Sequence, residues 1–262
     1  MKIFFLGTSK FSKIYRDALV QAGYEIVGLE DSPDLGVIAY YGKILPKKTL
    51  DIPKMGFINV HYSLLPRWRG PSPIQAAILA GDTTTGATIS KVVPKADGGE
   101  IIAQKEIPIL QEETYPEIER KLDDIGPALL VKSIPDWTSG KINPREQDES
   151  KAIYSKLIKT EDGHIDWKKS SEEILCQIRA LSPNPGVFTT WNGKRLLILK
   201  ASPEKTTHDS SPGKVIKDGE GFKIACHNGF IKPLLIKLEG KKETTPEAFL
   251  HGHREIIGAA LR

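Results

Sequence analysis

GFINVHYSLLPRWRG, running from Gly56 to Gly70, is the stretch whose reading decides the fold. Phe57, Ile58 and Val60 form a short apolar run with Gly56 before it and Pro66 after it. That pattern predicts a short buried strand running out into a loop. Side chains alternate along a strand, so Asn59 and His61 share one face while Ile58 and Val60 take the other. One face at the strand end thus carries an amide and an imidazole, two residues apart. An Asn amide donates to an oxyanion as a carbonyl becomes tetrahedral, and a His moves the proton of the attacking group. The same residue types also occur at strand ends as satisfied polar groups, and the pair alone does not separate the two readings.

The neighbouring residues add to the pair. Ser63-Leu64-Leu65-Pro66 and Arg67-Trp68-Arg69-Gly70 make an apolar-to-basic loop directly after it. Ligands in open α/β sheets bind outside the carboxyl ends of strands, which is where this loop would lie. Ser72-Pro73 predicts an N-cap with proline at the first helical position, opening a helix over Ile74 to Ala80 that Gly81 stops. Gly86 to Val93 and Glu100 to Ile107 read as strands joined through Lys95-Ala96-Asp97-Gly98-Gly99. Such a turn is able to carry the Asp97 carboxylate to the imidazole, orienting it and favouring its protonated form. Asp-Gly-Gly is equally an ordinary turn signal.

NVHYSLLPRWRGPSPIQAAI (Asn59 to Ile78), followed by DGGEII (Asp97 to Ile102), resembles the folate-dependent formyltransferases, most closely those that act on methionyl-tRNA. The resemblance implies an α/β chain: a Rossmann-like open-sheet catalytic domain, then a small OB-like β-barrel. It places the catalytic set on Asn59, His61 and Asp97, and the tetrahydrofolate-contacting segment on Ser63, Leu64, Leu65 and Pro66. It also implies 10-formyltetrahydrofolate as co-substrate, initiator methionyl-tRNA as acceptor, and no metal. Arg67 and Arg69 are expected to meet the donor's glutamate carboxylates or an RNA phosphate. Two further readings stand beside this one. The same site could formylate an amino-sugar nucleotide or hydrolyse formyl-folate, or the chain could be a non-catalytic RNA-binding protein on that scaffold.

Upstream, Ile3 to Leu6 and then Phe11, Ile14, Tyr15, Ala18, Leu19 and Ala22 predict a strand, a turn and a helix that Gly23 ends. G-x-G-x-x-G is absent, so no NAD or ATP site is expected. Tyr24 to Leu29 and Gly36 to Tyr41 read as two more strands, with only Glu30 to Leu35 between them. Parallel strands of one sheet need a crossover of about a dozen residues or more, which this interval cannot supply. The family carries a basic loop, a helix and another strand here, and that loop is a main tRNA-recognition element. Either the chain is a naturally shortened member or a segment is missing, and loss of an inner strand is expected to open the sheet. Ile44 to Lys48 then leads through Ile52-Pro53 into the central stretch.

Tyr115 to Val131 predicts a long helix with Ile118, Leu122, Ile125 and Leu129 on one face, kinked or split at Gly126-Pro127. Ser139 to Ser150 is polar and rich in breakers, hence a linker, giving domains of 1–150 and 151–262. In the second, Ser170 and Glu173 form a capping box ahead of Ile174, Leu175, Ile178 and Leu181. Asn192-Gly193 signals a hairpin. Short strands at Val187–Trp191, Arg195–Leu199, Lys214–Ile216, Phe222–Cys226 and Phe230–Leu238 suggest a small barrel. RALSPNPGVF (Arg179 to Phe188) resembles the family's C-terminal module, whose OB-like architecture takes phosphates on basic faces. Lys237, Lys241 and Lys242 are candidates for RNA backbone contact, or else part of a solubilising face.

Composition fits an ordinary globular protein, with 39% hydrophobic and 27% charged residues in 262. No apolar run reaches the ~18 residues a membrane span needs, and a cytoplasmic monomer without a membrane partner is expected. The net charge of +4 is uneven: residues 1–150 hold 18 Lys+Arg against 20 Asp+Glu, and residues 151–262 hold 19 against 13. A basic second half fits a polyanionic partner or a solvated surface equally well. Cys176 and Cys226 sit in apolar patterns and read as buried reduced thiols. His251 and His253 lack a third ligand nearby.

Overall fold

A computed structural model describes residues 1–43 and 45–262; Ile44, at the head of the connection into the central stretch, lies outside them. The chain divides into two compact units. The first holds residues 1–77, 83–111 and 116–157; the second holds 78–82, 112–115 and 158–262.

The first unit is a six-stranded open sheet. Its elements are β1 (Lys2–Leu6), α1 (Lys13–Gln21), β2 (Glu25–Ile26), β3 (Leu35–Ala39), α2 (Lys47–Leu50), β4 (Phe57–His61), α3 (Pro73–Leu79), β5 (Thr84–Lys91), β6 (Ile101–Pro108) and α4 (Tyr115–Thr138). The strand order is β2-β1-β3-β4-β5-β6. β1 to β4 are mutually parallel, and β5 and β6 run antiparallel. β3 is buried along its whole length, as an apolar LGVIA strand with neighbours on both sides must be.

The short connection after β2 does not open the sheet. Ile26 and Leu35 both stand opposite Ile3, on its two sides. β2 is only two residues long, so the chain need not travel back along a strand before starting β3. Val27 N–H donates to the Ile3 carbonyl, and Asp34 N–H donates to that of Lys2. A 3-10 turn at Leu29–Asp31 and Ser32 in the left-handed region (φ 54°) reverse the chain between them. The crossover requirement is thus met by shortening a strand, and β2 becomes the sheet's edge.

Of the kink or split expected in α4, the split is absent. The helix runs unbroken through Pro127 and Pro135, although an interior proline typically costs a helix ~3 kcal/mol. Its buried stripe follows Ile118, Leu122, Gly126 and Leu130 in steps of four, with Ile125 and Leu129 only half-buried. Gly126 is there because a Cβ would stand 2.1 Å from the Tyr15 hydroxyl. Packing of this stripe outweighs the two missing backbone donors.

A polar cluster ties four elements together behind β4. The Tyr15 and Tyr62 hydroxyls lie 2.5 Å apart, and Tyr62 (2.5 Å) and Tyr40 (2.6 Å) both donate to Asp123 Oδ1. Burial, with Asp123 nearby, raises the pKa of all three phenols well above the ordinary value, so they remain neutral donors.

The second unit contains α5 (Ser171–Leu181), β7 (Phe188–Trp191), β8 (Lys194–Lys205), β9 (Val215–Asp218), β10 (Gly221–Cys226), β11 (Gly229–Leu238) and α6 (Pro246–Leu250). Its strands form an antiparallel sheet ordered β7-β8-β11-β10-β9. The expected capping box stands at the start of α5. Asn192 and Gly193 both have positive φ, 49° and 73°, as a primed hairpin turn requires. A register shift across Pro233–Ile236 interrupts the β8–β11 ladder and bends the sheet. Cys226 is buried, Cys176 half-buried, and both are free thiols.

Candidate active site

β4 delivers Asn59 and His61 to the carboxyl end of the first sheet, paired across to Ser90 and Thr88 of β5. The β5–β6 turn brings Asp97 to meet them. Asn59 Nδ2 lies 3.5 Å and His61 Nδ1 3.7 Å from one and the same oxygen, Asp97 Oδ1. The other carboxylate oxygen, Oδ2, accepts the Gly70 N–H at 2.8 Å. His61 is 6% exposed, and its Nε2 lies 2.8 Å from the Trp68 carbonyl. A carbonyl only accepts, so Nε2 is assigned as the donor to it, and Nδ1 faces Asp97. Amide and imidazole thus converge on one carboxylate oxygen, the amide through a long hydrogen bond and the imidazole just beyond hydrogen-bonding distance.

Two glycines make this convergence possible. A Cβ on Gly99 would stand 1.8 Å from the Lys91 carbonyl oxygen, so the turn closes only without a side chain there. Gly70 has φ 104°, and a Cβ there would stand 2.8 Å from the Ser155 carbonyl oxygen. Asp97 itself takes the left-handed region at φ 48°, where Asp is among the better-tolerated residues.

The loop after His61 folds upon itself. Ser63 is 1% exposed and Leu65 3%, while Leu64 and Pro66 are half-buried. Ser63 Oγ donates to the Arg67 carbonyl at 2.6 Å. Thr88 Oγ1 donates to the Ser63 carbonyl at 2.6 Å and accepts from Leu65 N–H at 3.3 Å, while Gln104 Nε2 donates to the Leu65 carbonyl at 2.9 Å. Of the four expected folate-contacting residues, Leu64 and Pro66 therefore present the more accessible side chains, and Ser63 shapes the loop from inside. The Arg67 guanidinium sits 4.5 Å from the Trp68 ring centroid, within cation–π range.

Arg69 corrects the sequence reading. It is fully buried, and all five of its N–H donors are used. Nε and one Nη2 hydrogen go to Gln147 Oε1 (3.1 and 2.8 Å); the other Nη2 hydrogen goes to Glu149 Oε1 (2.9 Å). Nη1 donates to Glu149 Oε2 (3.0 Å) and to the Tyr154 hydroxyl (3.2 Å). No donor is left for a folate carboxylate or an RNA phosphate. The stretch expected to be a linker supplies Gln147 and Glu149, and Arg145 exchanges two backbone hydrogen bonds with Ile101 of β6 (2.8 and 2.9 Å). Residues 145–155 are a strap laced to the first unit, not a free tether. The sequence holds no signal for this, because a polar run pairs with a buried residue 80 positions away only through the fold.

In the second unit, Lys241 and Lys242 are exposed just after β11, and Lys237 is half-buried within it. Among the described residues no group of three or more His, Cys, Asp or Glu could hold a metal ion, and no helix is long and apolar enough to cross a membrane.

Comparison with known proteins identifies the family. The family described as formyl transferase matches residues 11–134, and that described as formyl transferase, C-terminal domain, matches residues 157–254. Methionyl-tRNA formyltransferase of Marinobacter nauticus is 36% identical over 238 residues, covering 90% of this chain and 76% of that protein. The enzyme of the same name from Chloroflexus aurantiacus is 36% identical over 271 aligned positions, covering 86% of this chain and 87% of that protein. That alignment is longer than the 262-residue chain, because the relative carries residues with no counterpart here. Among solved structures, HypX from Aquifex aeolicus in complex with tetrahydrofolic acid superposes with a TM-score of 0.69 at 18% identity, over 96% of this chain and 47% of HypX. At that identity the likeness concerns the fold alone. With both domains matched and relatives above one-third identity along most of its length, the chain belongs to the formyltransferase family.

Proposed function

We propose that this chain transfers the formyl group of 10-formyltetrahydrofolate to the amino group of initiator methionyl-tRNA. The observation that carries the reading is the approach of Asn59 and His61 to a single oxygen of Asp97, in a chain whose relatives are methionyl-tRNA formyltransferases. The methionine amine attacks the formyl carbon, and the C=O oxygen gains negative charge as the carbon becomes tetrahedral. Asn59 Nδ2 donates to that oxyanion. His61 Nδ1 takes the proton released by the attacking nitrogen and returns it to the folate N10 as the C–N10 bond breaks. Asp97 faces the imidazolium while it exists. The products are formyl-methionyl-tRNA and tetrahydrofolate, with no covalent enzyme intermediate.

The loop of Ser63, Leu64, Leu65 and Pro66 borders the folate slot in this reading. Residues 1–150 carry the chemistry. Residues 151–262, as an OB-like module, hold the tRNA through Lys237, Lys241 and Lys242. Lys241→Ala with Lys242→Ala is expected to raise the KM for tRNA while leaving that for the folate unchanged. The slope of log affinity against log salt is expected to flatten by ~0.7–0.9 for each phosphate that goes unneutralised. An unchanged slope removes these lysines from the interface.

The short passage from β2 to β3 favours a second acceptor, an amino-sugar nucleotide, because it leaves no room for the basic tRNA-recognition loop that the family resemblance implies there. Formyl transfer to methionyl-tRNA and to an amino-sugar nucleotide, assayed side by side with 10-formyltetrahydrofolate, tests both. Formylated methionyl-tRNA is the expected product. Transfer to the sugar alone reverses the assignment, and transfer to neither refutes both.

A further inference from the structure

The strap over residues 145–155 supports the catalytic set as well as the fold. Asp97 stands in the left-handed region at φ 48°, which Asp adopts more readily than most residues, and bonds to its carboxylate and to the turn backbone fix which way its side chain points. Two sets of bonds hold it. Gly70 N–H grips carboxylate oxygen Oδ2 at 2.8 Å. Gln147 Nε2 grips the backbone on both sides of the turn, donating to the Asp97 carbonyl at 2.7 Å and the Gly99 carbonyl at 2.6 Å.

Gln147 is itself fixed, because its Oε1 accepts both Nε (3.1 Å) and Nη2 (2.8 Å) of the buried Arg69. Both amide hydrogens and both oxygen lone pairs are therefore used, which leaves the side chain one orientation. Arg69 is anchored through its backbone as well: its N–H donates to the Ile153 carbonyl at 2.9 Å and its carbonyl accepts from Ser155 N–H at 2.7 Å. Arg69 and Gly70 are adjacent, so one short segment governs both grips on Asp97, directly through the Gly70 amide and indirectly through Gln147.

We propose that Gln147 is a positioning residue for the formyl transfer, setting the Asp97 carboxylate against His61 while Arg69 and the strap hold Gln147 in place. The inference rests on the catalytic reading of Asn59, His61 and Asp97. Gln147 touches neither substrate nor reacting atoms, and its effect passes wholly through the place of Asp97 Oδ1. Displacement of a catalytic group by about 1 Å can cost ~10²-fold in rate.

The test is a double-mutant cycle on the full chain, read as kcat and both KM values. Gln147→Glu keeps an acceptor for Arg69 and removes both donors to the turn. It is expected to lower kcat by roughly 10²-fold, with both KM values within about twofold of native. In an Asp97→Asn background the same change is expected to cost almost nothing, because the carboxylate that Gln147 places is already gone. Gln147→Met, which removes the donors without adding charge, is carried through the same cycle and must behave alike, so a folding defect in one variant does not decide the matter. Equal losses in both backgrounds, a rise in KM at native kcat, or native kcat in both Gln147 variants overturns the proposal. Asp97→Asn with native activity overturns the catalytic reading itself, a result separate from additivity in the cycle.

Discussion

Asn59→Ala is expected to lower the turnover of formyl transfer by ~10²–10³-fold with little change in thermal stability. The two parts of that result have separate origins. Asn59 is half-buried at the end of β4, and its amide holds a long 3.5 Å contact to Asp97 instead of a saturated set of bonds. Removing it strands no tightly buried partner, so the fold has little to lose. Its role appears only when the formyl oxygen becomes an anion, and an interaction confined to the transition state lowers kcat and kcat/KM together. The KM values for folate and tRNA are therefore expected to stay near native. A variant that keeps full turnover, or one whose loss lies only in KM, excludes Asn59 as the oxyanion donor.

The elements legible in the sequence are those whose cause is local. Alternation alone puts Asn59 and His61 on one face of β4. Ser170 and Glu173 cap α5 because their reciprocal bonds span three residues. Asn192-Gly193 turns the β7–β8 hairpin because both residues accept positive φ. Sequence and structure part where distant partners decide. Gly126-Pro127 predicts a kink or split in α4, yet the helix continues through both residues, with Gly126 close against Tyr15, 111 positions earlier. The interval after β2 is too short only for strands of equal length, and β2 shrinks to two residues instead. Asp97 lies between these cases. Its turn is legible, but its approach to His61 needs the β4–β5 register and the bare Gly99. Gln147 reads as linker because nothing near it in sequence is apolar or periodic.

Arg69→Met is expected to destabilise the protein by about 2–3 kcal/mol and to leave the salt dependence of tRNA binding unchanged. A methionine fills most of the volume, so the loss comes from bonds more than packing. The lower end of that range applies because Glu149 is half-exposed and keeps Lys95 and water as partners. At ~2–4 °C per kcal/mol for a chain of this size, the melting temperature falls by roughly 4–12 °C. The difference also depends on pH. Arg69, and then Lys95, hold the Glu149 carboxyl down to about 2 from its ordinary 4.5. A depressed carboxyl contributes stability above its unfolded value and loses it as pH falls through the folded one. The gap between native and Arg69→Met melting temperatures is thus full at neutral pH and narrows from about 4.5 towards about 2, while the bonds of Arg69 to Gln147 and Tyr154 persist. A phosphate ligand at Arg69 would do the opposite on both counts, flattening the salt slope by ~0.7–0.9 and leaving the melting temperature alone. That outcome would return Arg69 to the binding surface, since an arginine with five donors committed inside the protein has none to offer outside it.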